Sequence, residues 1–455
     1  MTRSRLFYQS FRLYSTATVA ICLMGLTWGW TTRTMKMMSP TSSTTPPPRR
    51  PLRGVFVGSG SDGMSDPRIA QLILDMVNGK SSSSSSSTST EVHERRPIQV
   101  LYVGTATYDL PCFAQRQTQW FTHAACNSTI TNEPSTGDAD SITFDSSCVV
   151  STLDLVHQTP TQEEIRSTIE RADVILVGGG NTLYAVDRWK RLDLVPMLQA
   201  AVEERGVVVA GGSAGAICWF DGGHSDSMDP DTYYGPMMQK FGSTHKTDTD
   251  MTTMDESSTP SSSNGNKEED ETKKTKDWKY IRVPGLGFLP GLLCPHHDRI
   301  QSNGILRAHD FDNMLLHSHP DEVGIGIDHW AALVVDRAQD SYRVVSLEGK
   351  PGSVVYHNKE NNEENGDNCD NAKDDNTNTN NENMSSTIAT FSADGKGVPG
   401  VWLKEVKEGK VEARVLPSCG KLSDILRPAK LIVQDHDALA RCRQENPDIL
   451  LSERG

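Results

Sequence analysis

Short apolar runs that end at glycine recur along the chain and indicate strands. Four of them, rich in Val, Ile and Leu, lie at 54–60, 99–105, 173–180 and 207–212. Apolar runs without polar alternation are typical of strands that are buried on both faces of a parallel sheet. The pattern therefore predicts a central parallel sheet that is covered on both sides.

Helical patterns lie between these runs. The segment 69–78 is amphipathic, and the segment 161–171 opens with Thr161 and Glu164, spaced as in a capping box. Later segments, 324–336, 342–347 and 400–416, have strand character with hairpin turns such as Glu408-Gly409. Together the patterns predict an α/β fold with a doubly wound, mostly parallel sheet flanked by helices and bordered by antiparallel edge strands.

Three low-complexity stretches interrupt this order. They lie at about 81–90 (serine-rich), 243–276 (Ser, Thr, Asp and Lys) and 358–386 (Asn, Glu and Asp). Such segments cannot bury enough apolar surface to offset the entropy lost on ordering, and long surface loops add little to the entropy of loop closure. We expect disordered insertions in the loops of one α/β domain.

The amino-terminal region has a different charge pattern from the rest. The first 61 residues contain no Asp or Glu, and basic residues surround an apolar stretch at 17–30. This pattern favours a signal peptide or signal anchor, with entry to the secretory pathway or membrane anchoring through residues 15–32. An organelle transit peptide and an unstructured tail are the alternatives. We expect a targeting region and linker at 1–50, the α/β domain at 51–430 and a tail at 431–455.

Composition excludes several classes of function. The 455 residues include 45 Lys and Arg against 59 Asp and Glu, a formal charge of -14, so a general affinity for nucleic acid is not expected. The nine cysteines form no C-x-x-C pair, so zinc-ribbon and thioredoxin interpretations have no support. Only 36% of the residues are hydrophobic, which the polar insertions explain.

Two glycine-rich turns follow predicted strands, where open parallel sheets bind their ligands. In the second turn, GGSAGA at 211–216 matches the G-x-S-x-G pattern that exposes a serine nucleophile, here Ser213. The N–H of Ala214 and a glycine N–H of the first turn, GGGNT at 178–182, are candidates to bind an oxyanion. The alternative is that both turns only bind a phosphate or pack tightly.

A serine nucleophile requires a general base and, usually, a carboxylate that orients it. The strand-like run at 285–298 ends in Pro-His-His-Asp, which makes His296 the first candidate base and His297 the second. For the carboxylate, Asp226 lies a short loop after Ser213. The competing acids are Asp221, Asp298 and Glu322.

These motifs resemble the peptidase E (aspartyl dipeptidase) family of serine peptidases, to which cyanophycinase is related. The resemblance rests on DVILVGGGNT at 173–182, VVVAGGSAGAICWF at 207–220, GLGFLPGLLCPHHD at 285–298, and GIGID with AALVV at 324–335. It covers about 54–416 without the insertions, and it implies a flavodoxin-like sheet related to class I glutamine amidotransferases. It also implies a Ser-His-acid triad.

Carried over by motif, Ser213 is the nucleophile, His296 is the base and Asp226 is the acid, while Gly179 or Gly180 joins Ala214 in the oxyanion site. Family members favour short peptides or isopeptides with an acidic residue on the acyl side. That preference requires a cationic pocket, for which Arg299 and Arg307 are candidates, with Asn181 as a further substrate-binding residue. The resemblance implies no cofactor and no metal, a small peptide as the partner, and leaves the oligomeric state open.

Other motifs suggest weaker alternatives. The segment 58–63 matches G-x-G-x-x-G, which would allow a nucleotide-dependent oxidoreductase, but the acidic residue expected after the next strand is missing. His317 and His319 resemble a metal cluster without a further ligand at a suitable spacing. Asn127 and Asn383 begin glycosylation sequons. A catalytically silent module that binds a small anionic ligand is the main alternative to an enzyme.

Overall fold

A computed structural model describes residues 51–79, 96–122, 129–131, 141–143, 147–158, 160–242, 275–358, 387–429 and 435–446. The chain divides into two units, Met1–Pro46 and Pro47–Gly455, and all described residues belong to the second. The predicted targeting region lies outside the described residues, as do nearly all residues of the three predicted insertions.

The strands of the described residues are short, mostly four to seven residues. In chain order they are β1 Arg53–Val57, β2 Ile98–Val103, β3 Thr129–Thr131, β4 Ser141–Thr143, β5 Cys148–Thr152, β6 Val174–Val177, β7 Val208–Gly212, β8 Phe220–Ser225, β9 Ile281–Pro284, β10 Leu289–Cys294, β11 Gly324–Ile327, β12 Ala331–Asp336, β13 Ser341–Ser346, β14 Val354–Asn358, β15 Thr387–Phe391, β16 Val401–Lys407, β17 Lys410–Val415 and β18 Cys419–Lys421.

The helices alternate with the first strands, as the sequence pattern predicts. In chain order they are α1 Ser61–Met64, α2 Pro67–Asn78, α3 Pro111–Thr118, α4 Gln162–Arg171, α5 Thr182–Arg191, α6 Val195–Ala200, α7 Ala214–Ile217, α8 Tyr234–Phe241, α9 Arg307–Ser318 and α10 His436–Glu445. The predicted capping box of α4 is confirmed, because Thr161 and Glu164 each bond the backbone N–H of the other.

The largest sheet has eight strands in the order β18-β13-β12-β1-β7-β6-β2-β5. Five neighbouring strands, in the order β1-β7-β6-β2-β5, pair in parallel. The strands β12, β13 and β18 extend the sheet in antiparallel pairing. Val55 and Val57 of β1 pack in the cluster that contains α2, whereas Phe56 packs in the cluster that contains α4 and α5. The predicted fold class, a mostly parallel sheet flanked by helices with antiparallel edge strands, is confirmed.

The strand registers bring the two glycine-rich turns together. Val57, at the end of β1, pairs with Gly212 of β7, and Val177, at the end of β6, pairs with Gly211. The turns that follow these three parallel strands therefore share one edge of the sheet, where ligands bind in folds of this type.

A second sheet of six strands, in the order β17-β16-β11-β10-β8-β9, was not distinguished in the sequence pattern. The apolar run at 324–336 contributes a strand to each sheet, because β11 pairs with β10 and β12 pairs with β1. Asp328, His329 and Trp330 form the connection between the two strands. The polar side chains of Asp328 and His329 therefore lie where the chain passes from the second sheet to the first.

The carboxyl-terminal segment expected as a tail contains α10. Ala438 and Cys442 of this helix are buried in the largest apolar cluster. In the part of the chain that the structure describes, no helix is long and apolar enough to cross a membrane.

Candidate active site

Ser213 lies on the sharp turn between β7 and α7. Its backbone has φ 53° and ψ −117°, which is an unfavourable conformation for a residue with a side chain. The serine N–H donates to the carbonyl of Val57 at 3.1 Å, which fixes the turn to the end of β1. A strained strand-to-helix turn of this kind is the feature expected of a nucleophile elbow.

The predicted oxyanion residues lie around this serine. A Cβ atom at Gly179 would be 3.6 Å from the Cβ of Ser213, so the first glycine turn touches the nucleophile turn. Gly180 has φ +110° and a Cβ there would be 2.2 Å from the carbonyl oxygen of Ala106, so a side chain is excluded. Ala214 is the first residue of α7, where a backbone N–H has no acceptor within the helix.

His296, the candidate base, reaches the same edge from the second sheet. It follows β10, has φ 48°, and its N–H donates to the carbonyl of Gly58 at 3.0 Å. The backbones of Ser213 and His296 therefore bond to consecutive carbonyls, those of Val57 and Gly58. This shared attachment fixes the backbones of the candidate nucleophile and base to neighbouring residues at the end of β1.

The imidazole of His296 is buried and contacts a second histidine. Its Nδ1 is 2.9 Å from the Nδ1 of His329, and the Nε2 of His329 is 3.1 Å from Oδ2 of Asp62. Burial lowers the pKa of His296 well below its usual range, and the nearby charges of His329, Arg307 and Arg299 lower it further. The ring is therefore neutral near pH 7 and able to accept a proton.

Asp62 ends this row of side chains and carries a charge. Its Oδ1 pairs with Arg116 Nη2 at 2.7 Å. Burial alone would raise its pKa, but the hydrogen bond and charge of His329, with Arg116 and Arg299, lower the pKa of Asp62 overall. The row from His296 through His329 thus ends at an ionised carboxylate.

Asp226, the predicted triad acid, is engaged elsewhere. Its Oδ2 accepts hydrogen bonds from Gln301 Nε2 at 3.0 Å and from Arg307 Nη1 at 3.1 Å. Arg307 is fully buried, so its charge requires this partner. These contacts direct Asp226 toward Arg307, whereas Nδ1 of His296 is paired with His329.

The competing acids also have defined partners. Asp221 accepts from the N–H of Gly291 at 3.2 Å, and Glu322 binds the guanidinium of Arg282 through two hydrogen bonds. Asp298 accepts the backbone N–H of His329 at 2.7 Å, and burial raises its pKa to about 6. Of these three acids, Asp298 is the one that holds His329.

His297, the second candidate base, belongs to a different buried group. Its Nδ1 is 3.3 Å from Asp328, whose carboxylate also accepts hydrogen bonds from the N–H groups of Ser353 and Gly400. Burial lowers the pKa of His297 well below its usual range. Asp328 and its partners hold the loop between β11 and β12, next to His329.

The predicted substrate-binding residues have different environments. Asn181 is the N-cap of α5: its Oδ1 accepts from the N–H of Tyr184, and its Nδ2 donates to Ser227 and Thr232. Its side chain is buried and used in these bonds. Arg299 lies three residues after His296, and its N–H donates to the carbonyl of His296 at 3.0 Å. The Nε of Arg299 is 3.8 Å from Asp298.

Two of the weaker motifs have structural roles. The G-x-G-x-x-G segment spans the turn after β1 and the start of α1, where Ser59 Oγ accepts the N–H of Gly63 at 2.9 Å. His319 pairs with Glu322 at 3.0 Å, next to Arg282. Across the described ranges, no group of three or more His, Cys, Asp and Glu side chains could hold a metal ion.

His329 and Asp62 were not selected from the sequence. Asp62 lies in α1, in a segment that the glycine pattern marked only as a weak nucleotide motif, and His329 follows an apolar strand without a motif of its own. The two are 267 residues apart and meet because β1 and β12 are neighbours in the sheet. The sequence signal that could have found them is their position near strand ends, because Asp62 follows β1 closely and His329 lies between β11 and β12.

The resemblance to the peptidase E family is confirmed by a comparison with protein families, in which residues 99–245 match the model of peptidase family S51. The matched segment contains both glycine turns, Ser213 and Asp226, and it ends before His296. A hydrolase that acts on peptide bonds is the activity that this match supports.

Individual proteins are similar over different lengths. A protein of Bacillus subtilis (strain 168) named uncharacterized peptidase YgaJ is 47% identical over 83 residues, which are 18% of this chain and 35% of that protein. A protein of Trypanosoma brucei brucei named G2/mitotic-specific cyclin-1 is 29% identical over 305 residues, 67% of this chain and 78% of its own length. The solved structure of a peptidase from an acI-B1 Actinobacterium has a TM-score of 0.36 and 16% identity, covering 65% of this chain and 88% of that one.

Proposed function

Because residues 99–245 match peptidase family S51, we propose that this protein is a serine-type peptidase in which Ser213 is the nucleophile and His296 the general base. The observation that carries the proposal is the strained backbone of Ser213 at the end of β7, bonded beside His296 to consecutive carbonyls of the β1 turn. A strained turn persists only where the surrounding structure enforces it, which favours a catalytic role.

In the proposed reaction, the Oγ of Ser213 attacks a peptide carbonyl while Nε2 of His296 takes the hydroxyl proton. The N–H groups of Gly179 and Ala214 bind the oxyanion of the tetrahedral intermediate, and His296 returns the proton to the leaving amine. Water then hydrolyses the acyl ester with His296 again as the base. The lowered pKa of His296 keeps the free ring neutral at pH 7, and the neutral ring is the form that can take the proton.

For the substrate, we propose short peptides or isopeptides with an acidic residue on the acyl side. Arg299 supports this preference because it follows the candidate base closely, and its ion contact with Asp298, at 3.8 Å from Nε, includes no hydrogen bond from that atom. An acidic side chain could supply a charge-assisted hydrogen bond to this guanidinium, of about 1.5–3 kcal/mol.

Hydrolysis of Asp-Xaa dipeptides and β-linked isopeptides by the full chain tests the proposal. We expect cleavage by the wild type and its loss in Ser213→Ala. Arg299→Gln should lower kcat/KM for Asp-Xaa by about 10-fold or more, and leave Leu-Xaa cleavage within about twofold, because only the acidic substrate uses the guanidinium.

Arg68→Gln is the matched control for the arginine, since Arg68 pairs with Asp66 at the start of α2. It should hydrolyse both substrates at the wild-type rate. Cleavage by Ser213→Ala at the wild-type rate would contradict the proposed nucleophile, and an equal effect of Arg299→Gln on both substrates would contradict the acidic preference.

A further inference from the structure

We propose that Asp62, acting through His329, is the carboxylate that positions His296, so that the catalytic row is Ser213, His296, His329 and Asp62. This inference rests on the proposed function, because it assigns the acid for the same site. Asp62 and His329 are positioning residues in this account, while Ser213 and His296 touch the reacting atoms.

The geometry is continuous from His296 through His329 to Asp62. Nδ1 of His296 and Nδ1 of His329 are 2.9 Å apart, and Nε2 of His329 is 3.1 Å from Asp62 Oδ2. His296 is 6% exposed and His329 is 4% exposed, so water does not replace these contacts easily. Asp298 holds the backbone N–H of His329 at 2.7 Å, and the ring of His329 packs against Trp330.

The row determines which nitrogen of each ring carries a proton. Because the ionised Asp62 can only accept, Nε2 of His329 donates in that contact, and Nδ1 of His329 is the atom that accepts from His296. His296 must then donate from Nδ1 to His329, and its own Nε2 is left without a proton. A general base requires an unprotonated nitrogen, here Nε2. Asp62 therefore selects the reactive tautomer of His296 through the His329 ring that lies between them.

The same row can accept the charge formed during catalysis. When Nε2 of His296 takes the Ser213 proton, the Nδ1 proton of His296 can pass to Nδ1 of His329. The His296 ring is then neutral again, and the positive charge lies on His329 beside the Asp62 carboxylate. The protons balance, because His296 gives up its Nδ1 proton as it receives the serine proton at Nε2, while His329 keeps its Nε2 proton and gains one at Nδ1.

The other charged groups around the row do not take this role. Asp226 is bound to Arg307 and Gln301, and Asp298 bonds the backbone of His329 rather than its ring. Arg116 pairs with Asp62 at 2.7 Å and keeps it ionised, whereas Arg299 and Arg307 disfavour a positive charge on His296. Moving that charge to His329 places it closer to the carboxylate.

The rate of covalent labelling of Ser213 by a fluorophosphonate tests the row without a known substrate. We expect Asp62→Asn and His329→Gln each to slow labelling by about 10²-fold or more. Because Asp62 acts only through His329, Ser213 in the double variant Asp62→Asn/His329→Gln should be labelled no more slowly than in His329→Gln alone.

Asp66→Asn is the matched control, since Asp66 is a carboxylate of the same segment that caps α2 and pairs with Arg68. It should label at the wild-type rate. A wild-type labelling rate in Asp62→Asn would overturn the row. So would a double variant in which the rate effects of Asp62→Asn and His329→Gln multiply. A large loss of labelling rate in Asp226→Asn alone would also overturn it. Absence of Ser213 labelling in the wild type would instead sink the proposed function and the row with it.

A second measurement is independent of reactivity and of the folding of any variant. Nitrogen NMR of the wild-type protein with labelled histidine reports which ring nitrogens are protonated. We expect His296 protonated on Nδ1 and His329 on Nε2. The opposite tautomer of His296 would overturn the inference.

Discussion

The backbone of Ser213 is the most informative conformation at the scale of single residues. A φ of 53° with a side chain present costs free energy, of order 1–3 kcal/mol for a strained residue, whereas glycine adopts such angles readily. The cost persists in Ser213→Ala, because alanine also has a Cβ. Glycine at this position removes both the hydroxyl and the strain.

We therefore expect Ser213→Gly to be more stable than Ser213→Ala by about 1 kcal/mol, although both lack activity. Urea unfolding of the two variants measures the difference. At an ordinary helix or strand position the order is reversed, because glycine is the less stable residue there. A Ser213→Gly variant that is less stable than Ser213→Ala would contradict a strained elbow.

Sequence patterns located residues best where one turn contains the whole signal. Ser213 and its glycines could be selected because G-x-S-x-G gives the nucleophile, its small neighbours and its turn in five consecutive residues. The acid could not be selected in this way. Its identity depends on which side chain of a distant strand reaches His296, and His329 reaches it only because β11 and β12 belong to different sheets.

At the scale of elements, His224 joins β8 to α9. Its Nε2 is 2.9 Å from Asp310 of α9, and its ring packs on Tyr280 and Phe311. Burial lowers the pKa of His224 from 6.5 to about 4, with the hydrogen bond to Asp310 offsetting only part of the effect. The folded protein therefore keeps this histidine neutral where the unfolded chain would protonate it.

Because the pKa of His224 is lower in the folded protein than in the unfolded chain, the protein has stability above pH 6.5 that it loses as the pH falls toward 4. Between pH 7 and pH 4 the wild type should lose about 3 kcal/mol more unfolding free energy than His224→Gln, which lacks the titrating group. Urea unfolding at several pH values measures the difference. His157→Gln, at an exposed histidine, should follow the wild type, and parallel pH profiles for all three proteins would contradict the interpretation.

Helices and strands could be predicted where the local sequence alone determines the secondary structure of the segment. The strands buried on both faces and the capped helix α4 follow from local composition and spacing. The second sheet could not be predicted, because β10 has the same apolar character as the strands of the first sheet, whereas β8 is polar and glycine-rich, like a loop. Which sheet a strand joins is decided by long-range pairing, and the local sequence does not contain that information.

At the scale of the whole molecule, the two sheets meet where the chemistry is proposed. The first sheet supplies Ser213 and both glycine turns, and the second supplies His296 from the end of β10. The carbonyls of Val57 and Gly58, at the end of β1, hold both residues, and Asp62 follows in α1. The predicted insertions at 81–90, 243–276 and 358–386 fall between these elements in the sequence. None of them contains a residue of the proposed catalytic row.

The central claim is that Ser213 is a nucleophile activated by His296. Treating the full chain with a fluorophosphonate, followed by peptide mass spectrometry, identifies the residue that reacts. The account predicts one phosphonylated residue, Ser213, and loss of this label in His296→Ala while Asp66→Asn keeps it. A label on another residue, or a Ser213 label that persists in His296→Ala, would contradict it.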